Sequence, residues 1–399
     1  MNYENEEVIQ LTMELVTKES TNVGTFEGEV SACVADWMRE QTGLEVIRDE
    51  YAPGRFNVYC TFKGKQAHPN LIYIAHMDTA PVGNGWTRDP FKPELEGNKL
   101  YGRGACDMKA GLAAAMIAFR DFVRKCRAEG ITPKYDFVFV GSADEEDAMG
   151  GADRVADLGI ADKQSLVLDT EPSMSTERAI GNPAPVPSIL CAHKGKTWFE
   201  ITTYGVAAHG SNPPLGVDAI VAMSEVVLEL KNRIAQYPIH PVMGPSTICF
   251  GTIHGGCNTN VVADSCTITI DMRLSPPLTK ELSIQLVEDA VAAGTARVPG
   301  SRGESKVLSA RPYIEQNDDS YLLKELRAAC KETLGVEAKI VFFTGYTDSG
   351  VLDGRTGCGN AMSFGPDGEF VHRGDEYVLC NTVVDTLRVI QNLADRILL

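Results

Sequence analysis

The stretch Leu71-Ile72-Tyr73-Ile74-Ala75-His76-Met77-Asp78-Thr79 sets the reading of this chain. Five apolar residues form a strand that runs straight into His-x-Asp. Residues two apart on a strand face the same side. Asp78 can therefore accept a hydrogen bond from one ring nitrogen of His76 and leave the other nitrogen for a metal ion. Taken alone, the same residues also describe a core histidine beside a turn aspartate.

The flanking sequence supplies the fold. Val30, Cys33, Val34, Trp37 and Met38 follow helical spacing until Gly43 stops the helix. Residues 57–62 read as a strand and 109–126 as a long Ala-rich helix. Residues 137–140 and 166–168 are short apolar strands that end in acids. The alternation predicts an α/β fold, a mixed sheet between helices, in which ligands sit beyond the carboxyl ends of the strands. The rhythm changes near residue 196. Strand 198–203, helix 217–234, strands 248–253 and 267–274 and helix 281–296 predict a small α+β domain with one open-faced antiparallel sheet. The Gly- and charge-rich stretch 298–304 reads as its exit linker. Strand and helix alternate again from Ser320. The α+β domain, 196–308, is thus read as an insertion into a split α/β domain, 1–195 and 309–399.

Bulk properties narrow the function. A length of 399 residues suggests two domains. The net charge of −17 argues against nucleic acid and anionic membranes, whose phosphates it would repel. No run approaches the ~18 apolar residues of a membrane span, and the acidic start, Met1 to Glu7, lacks the apolar segment of a secretory signal. The 11 cysteines form no Cys-x-x-Cys pair, so they read as reduced thiols of a cytoplasmic protein. Any metal must then be held by histidine and carboxylate.

Such residues recur at strand ends. Gly102-Arg103-Gly104-Ala105-Cys106-Asp107-Met108-Lys109 places Asp107 in a Gly-rich loop before a helix, where a helix-capping role is the ordinary alternative. Asp144-Glu145-Glu146-Asp147 follows an apolar strand. A solvated loop is the usual explanation of such a run, but like charges at a buried strand end need a cation. Asp169-Thr170-Glu171 ends a further strand, and Phe370-Val371-His372-Arg373-Gly374-Asp375-Glu376-Tyr377 offers a second imidazole. A two-metal site needs two nitrogen donors and several carboxylates, one of them bridging ions about 3.5–4 Å apart. His76, Asp107, Glu146, Glu171 and His372 meet that need and leave a free acid beside them as base. A two-metal phosphoesterase would need a cationic clamp, and the motifs carry few Lys or Arg.

With these motifs in this order, nearly the whole chain resembles the family that includes acetylornithine deacetylase, succinyl-diaminopimelate desuccinylase, aminoacylase and carboxypeptidase G. The resemblance implies that Asp107 bridges two divalent ions, zinc by expectation, with cobalt or manganese suited to the same donors. It implies that His76 and Glu171 complete one ion's site and Glu146 and His372 the other's. Asp78 would orient His76, and Glu145 would be the general base. Gly205-Val206-Ala207-Ala208-His209-Gly210-Ser211 resembles the family's lid motif, in which the histidine stabilises an oxyanion, often in the partner subunit's site. A turn histidine is the alternative. Asn260 and Arg273 lie in segments resembling those that bind the substrate carboxylate, although Arg273 serves equally as a salt-bridge partner. His68, His193, His240 and His254 are read as ordinary residues.

Two departures stand out. Many desuccinylases read Gly-Thr-Ser-Asp where this chain has Gly345-Tyr346-Thr347-Asp348, and carry Asn where it has Gly368. The expected activity is therefore hydrolysis of a small N-acyl amino acid, acetylornithine deacetylase-like, with a dipeptidase or carboxypeptidase of the same family as the alternative. A homodimer through the inserted domain is also expected. Its sheet leaves an exposed edge, and helix 217–234 carries Val221, Val227, Leu228, Leu230 and Ile234, more apolar surface than one sheet face needs.

Overall fold

In the computed structural model, which describes residues 3–173 and 186–399, the run from Leu71 lies in strand Gln66–His76 of an eight-stranded mixed sheet. The order is Val46–Ala52, Arg55–Phe62, Tyr135–Ser142, Gln66–His76, Leu166–Asp169, Ala361–Ser363, Ser188–His193 and Lys339–Phe343. The four strands from Tyr135–Ser142 to Ala361–Ser363 run parallel, and the pairings observed outside them are antiparallel. The parallel strands need both faces covered. Leu71, Tyr73, Phe137, Phe139, Leu166 and Leu168 join one apolar core with helices Ala110–Glu129 and Cys380–Leu398. Phe137 is the hub of that core: its ring centre lies 4.9 Å from Tyr73, 4.8 Å from Phe119 and 5.5 Å from Phe122. The alternate residues Ile72, Ile74, Val140 and Val167 point the other way and are also fully buried.

The chain divides into two compact units. The first comprises Met1–Cys191, Gln316–Val341 and Thr347–Leu399; the second comprises Ala192–Glu315 and Phe342–Tyr346. A small sheet in the first unit pairs Tyr377–Leu379 with Lys99–Tyr101, so the C-terminal loop around residue 372 is drawn beside the Gly-rich loop at 102–107. Helix Gly28–Thr42 ends at Gly43, whose φ of 63° lets its N–H close on Arg39.

The second unit carries a four-stranded antiparallel sheet in the order Thr247–Gly255, Ser265–Leu274, Gly195–Tyr204, Arg302–Arg311. Helices Ala219–Ile234 and Lys280–Ala296 supply Met223, Val226, Leu286 and Val287 to a core shared with Phe199, Ile201, Ile268 and Ile270. Asp218 caps the first helix by accepting from the N–H groups of Ile220 and Val221. The stretch 298–304 is not simply a linker: from Arg302 onward it forms the sheet's fourth strand, with Arg302 opposite Tyr204 and Arg311 opposite Lys196. It is polar because it is an edge strand, and Gly303 is required where a Cβ would come within 2.7 Å of Val291. On the first helix Leu230 is buried and Val227 and Ile234 are partly packed, whereas Ile220, Val221 and Leu228 remain exposed. Among the described residues no helix is long and apolar enough to cross a membrane.

Replacing Phe137 with Ala removes the ring on which three aromatic neighbours rest. The loss should be about 3–5 kcal/mol, the range for large buried aromatics. Denaturant unfolding followed by tryptophan fluorescence should show a lower midpoint; an unchanged midpoint would mean the core closes around the gap.

Candidate metal centre and active site

The parallel strands deliver the polar residues to one edge. His76 ends Gln66–His76, Glu145 and Glu146 follow Tyr135–Ser142, and Glu171 follows Leu166–Asp169. Asp107 sits in a kinked turn before helix Ala110–Glu129, with φ −116° and ψ 92°. His372 lies in the loop between Gly368–Glu369 and Tyr377–Leu379, at a φ of 61°.

These residues converge. His76 Nε2 lies 3.1 Å from Asp107 Oδ1, 3.4 Å from Glu171 Oε1 and 4.0 Å from Glu145 Oε2. His372 Nε2 lies 3.3 Å from Asp107 Oδ2 and 2.8 Å from Glu146 Oε2. Asp107 thus turns one oxygen to each imidazole. Donor atoms of His76, Glu145 and Glu171 lie within 4.8 Å of one another, as do those of His76, Asp107 and Glu146.

The electrostatics show what such a cluster lacks. Burial, and then Glu171, push Glu145 well above its ordinary pKa. Burial followed by Asp107 raises both Glu146 and Glu171. Burial opposes charge on His76, yet Glu171 and Asp107 hold its pKa well above the ordinary value. Hydrogen bonds to Asp107 and Glu146 lift His372 to about 10. For Asp107 burial works upward, but its bonds to His372 and His76 prevail and hold it below the carboxylate range. Without another cation, the carboxylates attract protons and force both imidazoles toward their charged forms. Two ring nitrogens and four carboxylates in a mostly buried cluster fit divalent cations, which supply the missing positive charge.

A second set of residues shapes this one. His76 Nδ1 lies 2.9 Å from the main-chain carbonyl of Asp78 and 3.6 Å from its carboxylate. The ring is therefore oriented by the carbonyl. The Asp78 carboxylate instead accepts from the N–H groups of Glu145, at 3.1 Å, and Glu146, at 3.2 Å, and from Asn22 Nδ2 at 2.5 Å. Behind it Arg55 pairs with Glu27 at 2.6 Å and Asp144 at 2.9 Å. Asp144, at a φ of 68°, turns the chain so that Glu145 points into the cluster. Below it, Ser142 Oγ donates to Asp348 at 2.5 Å. Sequence reasoning missed Asn22, Glu27 and Arg55, because no local pattern ties them to partners so far along the chain.

His209, Asn260 and Arg273 belong to the second unit. His209 is exposed, with Nδ1 2.7 Å from Ser211 Oγ, and bridges to Val261; Gly210 N–H donates to the carbonyl of Asn260. His209 and Asn260 therefore share one edge of that unit. Arg273 lies apart from them and forks onto Asp271 from Nε and Nη2, at 3.1 and 2.9 Å. His193 is fully buried against Phe343 and Tyr346, and burial lowers it to about 4.

Sheet, strand-end carboxylates and paired imidazoles define a metal-dependent hydrolase of amide bonds. The chain belongs to peptidase family M20/M25/M40, whose model matches residues 72–396. An acetylornithine deacetylase of Photorhabdus laumondii is 29% identical over 375 residues, 91% of this chain and 88% of that protein. The aminopeptidase PepT of Bacillus cereus superposes with a TM-score of 0.76 at 21% identity, covering 98% of both chains. The YXEP protein of Bacillus subtilis, a dinuclear metal-binding peptidase, superposes with a TM-score of 0.69 at 17% identity, covering 98% of this chain and 97% of its own.

Chelation should destabilise the protein more at about pH 8 than at about pH 5. The raised carboxylates make the metal-free folded chain bind more protons than the unfolded one. Its stability therefore falls as pH rises from the ordinary carboxylate range through about 7 and about 8, where Asp169 and Asp348 titrate. The raised His76 and His372 act with the same sign above the ordinary histidine value, His372 up to about 10. Melting temperatures with zinc and with a chelator at both pH values check this; a gap no larger at the higher pH would refute it.

Proposed function

We propose that this chain is an N-acyl amino acid deacylase of the acetylornithine deacetylase kind, working in the cytoplasm with two zinc ions. The observation that carries the two-ion reading is Asp107, one oxygen turned to His76 and the other to His372. In this reading Asp107 would be shared by the two ions, His76 and Glu171 would help hold one, and Glu146 and His372 the other. The bound ions supply Lewis acidity, polarising the scissile carbonyl and acidifying water. Glu145 takes the proton of the attacking water and hands it to the departing amine. Its carboxylate, 4.0 Å from His76 Nε2, stands beside the cluster without being one of the five proposed ligands. Asp78 holds the main chain of Glu145 and Glu146 in register. The substrate class rests on the deacetylase relative, which matches 91% of this chain, and the cytoplasmic setting on free thiols throughout.

The 196–308 segment is proposed as lid and dimerisation domain, with 1–195 and 309–399 as the catalytic domain. Ile220, Val221 and Leu228 on its helix, and Phe250 and Ile253 on its edge strand Thr247–Gly255, are exposed. A two-fold dimer would cover that apolar surface and the open edge together. In the dimer His209 would donate to the developing oxyanion in the partner's site, a role worth ~2.7–4 kcal/mol in other enzymes. Asn260 and Arg273, which lie apart within the unit, are separate candidates for the substrate carboxylate, and Arg273 would leave Asp271 to take that role.

Glu145→Gln should keep its metal and lose at least ~10²-fold in kcat. Turnover of N-acetyl, N-succinyl and N-formyl amino acids beside dipeptides reads the substrate class. Near-normal rates in the variant would remove Glu145 as base, and wild-type preference for dipeptides would favour the peptidase alternative. Mixing Glu145→Gln with His209→Ala subunits, each nearly inactive alone, should restore part of the activity. No recovery despite confirmed subunit exchange would place His209 in its own protomer's chemistry or outside catalysis.

A further inference from the structure

The two imidazoles of the cluster are held very differently. His76 ends an inner strand of the large sheet, whereas His372 stands in a loop flanked by a two-residue and a three-residue strand. Within that loop Phe370, His372 and Asp375 have φ values of 63°, 61° and 58°, a region costly for residues with side chains. Such a conformation persists only where the surroundings impose it.

The imposition comes from a buried ion pair that reaches both sides of the cluster. Glu376 is fully buried. Its Oε1 accepts from the N–H groups of Cys106, at 2.9 Å, and Asp107, at 3.1 Å. Its Oε2 accepts from the N–H of Gly104, at 3.2 Å, and from Arg103 Nη1, at 2.5 Å. With two donors on each oxygen, this carboxylate is engaged by the chain itself and is no metal ligand. Arg103, only 1% exposed, extends the frame. Its Nη2 donates to the carbonyls of Val82, at 3.0 Å, Pro81, at 3.2 Å, and Arg373, the residue after His372, at 3.3 Å. Gly374 closes the contact: a Cβ there would lie 2.4 Å from the main chain of Gly85. One guanidinium and one carboxylate thus fasten three segments, 81–82, 103–107 and 373–376.

We propose that Arg103 and Glu376 are positioning residues that hold Asp107 and His372 at ligand spacing, so that retention of the ion shared by His372 and Glu146 depends on a buried pair that binds no metal itself. The proposal rests on the two-ion reading given above. The ion at His76 shares Asp107 with its neighbour but depends less on the pair, because its other two proposed ligands, His76 and Glu171, both stand at the ends of sheet strands. Lysine cannot replace Arg103, since a single ammonium cannot fork between Glu376 and the carbonyls.

The test is zinc retention by wild type, Glu376→Gln and Arg103→Lys in a series of buffered free-zinc concentrations, counted by elemental analysis. The wild type should retain two ions per chain at a setting where each variant retains about one. The affinity for the second ion should fall about 10–100-fold, as for other residues that orient ligands. Excess zinc should then restore turnover, which a general loss of structure would not permit. Wild-type retention in both variants would overturn the proposal, as would equal loss of both ions. If neither variant yielded folded protein, the pair would be a determinant of the fold, which also overturns it. A wild type that retains no zinc at any setting would instead defeat the two-ion reading itself.

Discussion

The repulsion among Asp107, Glu145, Glu146 and Glu171 is the constraint on which the rest of the structure turns. Four carboxylates gathered in a mostly buried cluster are costly unless positive charge joins them. The two imidazoles supply part of it, at the expense of being held charged. Divalent cations supply it without that expense, and the cluster is arranged to receive them. The helices, the sheet and the second set of polar residues can be understood as the means of keeping these groups together.

That means is layered. The inner strands are apolar on both faces, so burial fixes His76, Glu145, Glu146 and Glu171 at a common edge to the accuracy of a sheet register. Asp107 and His372 come from loops and need separate fastening. Arg55 serves the turn at Asp144, and Arg103 with Glu376 serves the loops at 107 and 372. Each guanidinium draws together main-chain or side-chain groups from different parts of the chain, a task for a planar fork rather than a point charge.

The segments that carry the clustered residues were legible in the sequence because each is local: an apolar run, then an acid or histidine. The same holds for most helices and strands, whose periodicity is strong in residues such as Leu71 to Ala75 and Thr267 to Leu274. Three things were hidden for physical reasons. The strand at Arg302 looks like a linker, since an edge strand with one wet face carries the glycine and charge of a loop. The division of labour within Asp78, carbonyl to His76 and carboxylate to the following turn, is a matter of single atoms that spacing cannot resolve. The fastenings through Arg55 and Arg103 join positions whose separation along the chain leaves no pattern to read.

Asp107 faces histidines that come from opposite ends of the chain, His76 early and His372 late. During synthesis His76 and the strand-end acids emerge first, and the N-terminal strands can begin to fold before residue 372 exists. A nascent chain that stops short of residue 372 therefore offers only one of the cluster's two imidazoles, that of His76. The full cluster forms only after the loop around residue 372 has docked and the long intervening segment has been closed into a ring, an entropic cost that a bound metal would offset. On the two-ion reading, full loading would require that synthesis has passed residue 372, and a chain that stalls before it would lack one of the cluster's two imidazoles.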